Sequence, residues 1–237
     1  MAPNQRRHFR RKPGGTFSKE HGQAGAVRPS EGTLMAPFKI GYFVGSLATA
    51  SINRTLSKAL IKLAPEDLEF TEIPIRDLPL YSYDYDADFP PAARALKEAI
   101  EASDGILFVS PEYNRSIPGA LKNAIDWGSR PWGSNSFARK PTGIIGASVG
   151  SIGTAVMQSS FRSVLSFLDA PQLNAPEAYI HYDAAVFGED GEVKNEGTAK
   201  FLRHYMDEYA AFVARVLAAN APGHIGDLET DDAKLTR

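Results

Sequence analysis

The 237-residue chain is 43% hydrophobic, 10% aromatic and 23% charged, carries a net charge of −2 and contains no cysteine. This composition fits one globular domain with appended tails and excludes a collagen, a wholly disordered chain and a coiled coil. The missing thiols exclude disulfide scaffolds, thiolate nucleophiles and Cys-based zinc or iron–sulfur sites, so redox chemistry would have to come from a bound cofactor. No apolar run approaches the roughly 20 residues that span a bilayer and none follows the N-terminal basic residues, so a cytoplasmic location is expected.

Charge is unevenly spread. Residues 1–34 hold seven Lys/Arg against Glu20 and Glu31, a local net of +5 that leaves −7 for the remainder. With almost no aliphatic residues, this stretch cannot offset its ordering entropy, and residues 1–35 read as a disordered basic arm. A basic arm on an acidic body argues against nucleic acid as a partner. The domain proper is expected over residues 36–220, with a polar tail at 221–237.

From Phe38 the pattern changes to Phe38–Val44, a short apolar strand ended by a Gly-Ser turn. Asn53–Ala64 has Leu56, Leu60, Ile61 and Leu63 at helical spacing and stops at Pro65. A second strand is expected at Glu69–Ile73, then an irregular Tyr/Asp/Pro-rich segment over Asp77–Phe89. A helix opens at Pro90-Pro91 and runs to about Ser103, since proline suits a first helical turn. Gly105–Val109 is a third strand, Pro118–Trp127 a helix, Lys140–Ala147 a fourth strand and Gly153–Leu168 a helix. A fifth strand around Ala178–Tyr182 precedes a last helix from about Gly197 to Ala219, with Phe201, Tyr205, Tyr209, Phe212, Val213 and Val216 facing inward.

Strands alternating with helices of these lengths predict an α/β fold: a parallel five-stranded sheet in the order 2-1-3-4-5, flavodoxin-like, with helices on both faces. Ligands of such sheets lie outside the carboxyl ends of the strands, where strand order reverses. The loops after strands one, three and four are therefore the ones to read.

The first loop, Gly45 to Arg54, leads straight into a helix. Its main-chain N–H groups, the hydroxyls of Ser46, Thr49 and Ser51, the Asn53 amide and the Arg54 guanidinium are donors suited to a phosphate. The bland reading is that Ser51 or Asn53 merely caps the helix. Neither G-x-G-x-x-G nor a P-loop is present, which disfavours a dinucleotide or ATP site here.

The second loop reads Pro111-Glu112-Tyr113-Asn114-Arg115-Ser116-Ile117-Pro118-Gly119-Ala120-Leu121-Lys122-Asn123-Ala124-Ile125-Asp126-Trp127. Together with the first, which has the form G-S-x-x-x-x-S-x-N-R, it resembles the NADPH-dependent FMN reductase family over roughly residues 37 to 182. The resemblance implies noncovalent FMN, reduced by NADPH or NADH and reoxidised by quinones, free flavins, azo compounds or chromate-like acceptors. It implies that Ser46, Leu47, Ser51, Asn53 and Arg54 hold the phosphate. Many members have arginine where this chain has Ala48, and Arg54 is the cation expected to compensate. Pro111, Glu112, Tyr113, Asn114 and Ser116 would run along the isoalloxazine edge, with an extended Pro111–Asn114 main chain matching the alternating N–H and C=O groups of the pyrimidine ring. The flavin itself carries the hydride chemistry, so no catalytic acid or base and no metal is expected. Arg115, Arg130 and Arg139 are candidate partners for a 2′-phosphate, while Lys122 and Asp126 read as an i,i+4 pair.

The third loop, Gly146-Ala147-Ser148-Val149-Gly150, also matches the G-x-S-x-G elbow of a serine hydrolase, with Asp169, Asp183, His181, His204 and His224 downstream. In the flavin reading, Ser148, Gly150 and Gly153 instead form a small-residue loop that lets backbone approach the ring face. A flavin-binding carrier without turnover is a third reading. Trp127, Pro131, Trp132 and Phe137 make the region after the second loop aromatic, as interfaces are, and the family forms dimers and tetramers; a homo-oligomer is expected.

Overall fold

The computed structural model describes residues 36–221, and all five expected strands form. Strand β1 (Phe38–Val44) turns Ile40 to the core on one side of the sheet and Phe43 to the core on the other, the period of two that a twice-covered strand requires. Strand β3 (Gly105–Val109) is buried at every position: Leu107 and Val109 point to one face, Ile106 and Phe108 to the opposite one. With β2 (Leu68–Glu72), β4 (Thr142–Ser148) and β5 (Tyr179–His181) they make a parallel sheet in the order 2-1-3-4-5. This is the flavodoxin-like arrangement.

Helices α1 (Ile52–Leu63) and α5 (Glu196–Asn220) cover one face, placing Leu56, Leu60, Leu202 and Tyr205 against Ile40, Leu107 and Ile145. Helices α2 (Pro91–Glu101), α3 (Gly119–Gly128) and α4 (Ala155–Phe167) cover the other, where Leu96, Ile125 and Phe161 meet Phe43, Phe108 and Ile144. Phe43 and Phe108 stack at 5.2 Å between centroids, across adjacent strands. Each fully buried side chain of this size contributes about 1.5–3 kcal/mol. Among the described residues no helix is long and apolar enough to cross a membrane.

The 77–89 segment holds one short 3-10 turn, Tyr83–Tyr85, and otherwise runs irregularly. Tyr81, Tyr85 and Phe89 pack around Trp127 with centroids 5.1 to 5.6 Å away, and the Trp127 indole N–H donates to the Pro79 carbonyl at 2.7 Å. This corrects the interface reading of two aromatics: Trp127 and Phe137 are 0% exposed and belong to the core, whereas Trp132, 58% exposed, is at the surface. Phe201 is a second correction. It was expected inward but is 36% exposed, because the buried stripe of α5 runs through Leu202, Tyr205, Met206, Tyr209 and Val213, about 100° around the helix from it. The basic arm and nearly all of the polar tail lie outside the described residues.

Strand order reverses between β1 and β3, so the crevice opens at their carboxyl ends. Residues 47–50, 113–116 and 149–152, the tips of the three loops there, are all exposed.

Candidate functional site

The β1–α1 loop leaves its main chain open to a ligand. Gly45 N–H continues the ladder onto Val109, and Ala48 N–H reaches the Ser46 hydroxyl at 3.3 Å. Leu47 and Thr49 through Asn53 have N–H groups without an acceptor among the described residues, as the first turn of a helix dictates. Ser46 and Ser51 are buried; their hydroxyl oxygens accept from Ala48 and Arg54, and their O–H hydrogens have no acceptor among the described residues. Ser51 is the N-cap of α1, accepting the Arg54 N–H at 3.3 Å. N–H and O–H donors without an acceptor at the start of a helix suit a phosphate.

Two side chains expected at that phosphate are engaged elsewhere. Asn53 is 1% exposed; its amide donates to the Ala147 carbonyl at 3.0 Å and accepts the Ala147 N–H at 2.9 Å. The β3–β4 pairing ends at Val109 and Ile145, so Asn53 takes the place of a neighbouring strand for Ala147 and lets the chain after β3 swing away as a loop. Arg54 makes a two-pronged pair with Glu72 of β2, at 2.7 and 2.9 Å, which raises the guanidinium pKa chiefly through those hydrogen bonds. Burial, then the Glu72 charge, pushes the Tyr42 phenol up as well, so it stays a neutral donor to Glu72 at 3.4 Å. The Arg54 charge is thus matched by Glu72 in this structure.

A residue the sequence reading passed over does reach this loop. The Arg76 guanidinium, from the segment after β2, donates to the Leu47 carbonyl.

In the second loop the extended run stops one residue short of expectation. Asn114 and Arg115 have φ of 50° and 63°, and Tyr113 and Ser116 exchange main-chain hydrogen bonds at 3.1 and 2.9 Å around them. The tip is thus a tight turn, whose paired positive φ angles match the type I′ pattern. Tyr113 and Ser116 use their N–H groups on each other, Pro111 has none, and the Glu112 N–H has no acceptor among the described residues. The Glu112 side chain, 8% exposed, points its carboxylate to the Met157 N–H at 2.9 Å, capping α4, whose own Thr154 makes no side-chain cap. Its other oxygen takes Arg115 at 3.3 Å. Glu112 positions the loop against α4. Lys122 and Asp126 pair at 2.6 Å, as their spacing predicted.

Between the second and third loops the chains come close. A Cβ on Gly146 would fall 2.0 Å from the Ser110 carbonyl and 2.6 Å from the Thr154 hydroxyl, so glycine is required there. Gly153 needs its φ of 59° and backs onto the Tyr179 main chain; it shapes the turn from behind, while Gly150 and its neighbours 149 to 152 form the exposed tip. The Ser148 hydroxyl accepts the Gly150 N–H at 3.1 Å. Helix α4 begins only at Ala155, so this is no sharp strand-to-helix elbow, and among the described residues no histidine bonds Ser148. His181 approaches the Gly150 carbonyl instead, His204 is exposed on α5, and His224 lies outside the described residues. Among the described residues the hydrolase alternative finds no base at Ser148.

A parallel sheet with a set of open N–H and O–H donors after its first strand, beside the point where strand order reverses, has the arrangement of proteins that bind a mononucleotide cofactor there. The family model described as NADPH-dependent FMN reductase matches residues 38–185. The chain belongs to that family. It is 52% identical over 175 residues to a 2-hydroxy-1,4-benzoquinone reductase of Burkholderia sp, covering 74% of this chain and 96% of the relative. A quinone reductase of Pseudomonas putida is 44% identical over 177 residues, 74% of this chain and 95% of the relative. Among solved structures, the flavoenzyme NAD(P)H:(acceptor) oxidoreductase FerB from Paracoccus denitrificans superposes with a TM-score of 0.73 at 43% identity, covering 75% of this chain and 98% of that one.

Proposed function

We propose that this protein is a cytoplasmic FMN-dependent oxidoreductase that passes hydride from NAD(P)H to quinones. The observation that carries the reading is the set of N–H and O–H donors at the start of α1 without an acceptor among the described residues, at the carboxyl end of β1 where strand order reverses. Kinship with relatives named quinone reductase supports the acceptor class. Bound there, FMN would supply the two-electron chemistry that no side chain of this protein offers.

In this reading the β1–α1 loop holds the phosphate by its N–H groups and by the hydroxyls of Ser46 and Ser51. The Glu112 main chain lies along the ring edge, and the tip after Ser148 flanks its face. Asn53 and Glu112 act at one remove, fixing the roots of those loops. Of the three arginines considered for a 2′-phosphate, Arg139 lies before β4, at the opposite end of the sheet, and Arg130 stacks near Tyr81 and Trp132. Arg115, exposed at the second loop's tip and paired with Glu112 at 3.3 Å, is the candidate that its position at the carboxyl end of the sheet supports.

We propose further that the active form is a homo-oligomer. Exposed Trp132, Val149, Ile152 and Phe167 supply the apolar surface for it. Sedimentation at micromolar concentration should show at least a dimer; a monomer would remove this part of the proposal.

The cofactor test is spectroscopic. The purified chain should be yellow, bleach with NADPH under nitrogen, and regain its colour when a benzoquinone is added. A colourless, well-folded protein that takes up no FMN would overturn the reading, and bleaching without recovery by quinone would overturn the acceptor.

A further inference from the structure

We propose that Arg76 is the cation of the FMN phosphate seat and sets the preference for FMN over unphosphorylated riboflavin. The proposal rests on the cofactor reading above and adds a residue from outside the loops that define it.

The seat as the β1–α1 loop builds it is made of neutral donors: main-chain N–H groups and the buried Ser46 and Ser51 hydroxyls. A phosphate monoester brings close to two negative charges at neutral pH. The loop's own arginine, Arg54, is matched by Glu72 at 2.7 and 2.9 Å, so its charge is already compensated. Ala48, at the turn, has no polar side chain. Arg76 comes in from the side and lays its guanidinium on the Leu47 carbonyl, one residue from Ala48 and within the same turn. That bond engages one of its five N–H groups, and among the described residues the guanidinium has no other partner.

Its backbone is held in place. Ile73 N–H donates to the Tyr42 carbonyl at 2.8 Å, continuing the sheet one step past β2. Ile73 and Ile75 are both buried in the core beneath α2 and α3, so the residues between and after them alternate outward and Arg76 emerges beside the first loop. A planar fork with an uncompensated charge, fixed at its root and resting on the phosphate turn, is what discriminates a phosphate from a hydroxyl.

The experiment titrates full-length protein, stripped of flavin, with FMN and with riboflavin, following the quenching of flavin fluorescence. Arg76→Ala should weaken FMN by about tenfold or more, the scale of one charge-assisted pair, while leaving riboflavin binding as in wild type. Arg76→Lys should keep part of the preference, and Ala48→Arg placed in the Arg76→Ala background should restore it. Added salt should erode the FMN affinity of wild type more than that of Arg76→Ala. Unchanged FMN binding in Arg76→Ala would overturn the proposal. So would equal losses for both flavins, which would make Arg76 a brace for the loop. Wild-type protein that binds no FMN would instead overturn the cofactor reading itself.

Discussion

Replacing Asn53 by alanine separates the two roles open to that residue, strand clamp and phosphate ligand. Its amide makes bonds of 3.0 and 2.9 Å to the Ala147 main chain, and both residues are buried, at 1% and 0% exposure. Without the amide, the Ala147 N–H and C=O stay buried and unpaired; at about 1–3 kcal/mol for each such group, and with partial relaxation, the loss is about 2–4 kcal/mol. In a domain of this size each kcal/mol moves the melting temperature by about 2–4 °C, so flavin-free Asn53→Ala should melt roughly 5–15 °C below wild type. Calorimetry of the flavin-free proteins reads this directly, and fluorescence titration of the same samples reads FMN against riboflavin. The clamp role predicts a lowered melting temperature with the preference for FMN intact. An unchanged melting temperature with that preference lost would refute it and return Asn53 to the phosphate.

Three other outcomes follow from the geometry. Glu112→Ala removes the cap that α4 borrows at Met157 and should cost about 1 kcal/mol of stability in denaturant melts, whereas Glu112→Gln, which keeps an acceptor, should cost less; equal losses would show that the charge, not the acceptor, matters. Gly146→Ala drives a methyl into the Ser110 carbonyl and the Thr154 hydroxyl and should destabilise by about 3 kcal/mol or weaken flavin uptake by spreading the two loops; wild-type behaviour in both would mean that the crevice is looser than its distances say. Ser148→Ala should retain NADPH-dependent quinone reduction, and neither form should hydrolyse an activated ester; esterase activity lost with Ser148 would revive the hydrolase.

The architecture was legible because a parallel sheet covered on both faces leaves its strands as short, nearly continuous apolar strings. Phe38–Val44 and Gly105–Val109 could be read to the residue. The functional loops were legible for the same reason, as the polar, glycine-bearing stretches where those strings stop. What individual side chains do in the loops was not. Asn53 bonds a residue 94 positions away, and Arg54 finds Glu72 only because β1 and β2 pair in one particular register. Nothing local to Ile52-Asn53-Arg54 distinguishes those fates from a phosphate contact. Arg76 was hidden differently: it lies between the expected strand Glu69–Ile73 and the irregular Asp77–Phe89 segment, and its closeness to Leu47 exists only after β2 has been laid beside β1. Trp127 misled because sequence density of aromatics does not tell a surface cluster from one folded under its own loop.

The cross-ties between these loops separate anchorage from chemistry. Asn53 moors the first to the fourth strand, Glu112 moors the second to α4, and Arg76 ties the β2 exit to the first. The Asn53 and Glu112 ties fasten near a base, and among the described residues no hydrogen bond joins 113–116 to 149–152 at the mouth. Selection can therefore redraw the mouth for a new acceptor, quinone or otherwise, without disturbing how the cofactor is moored.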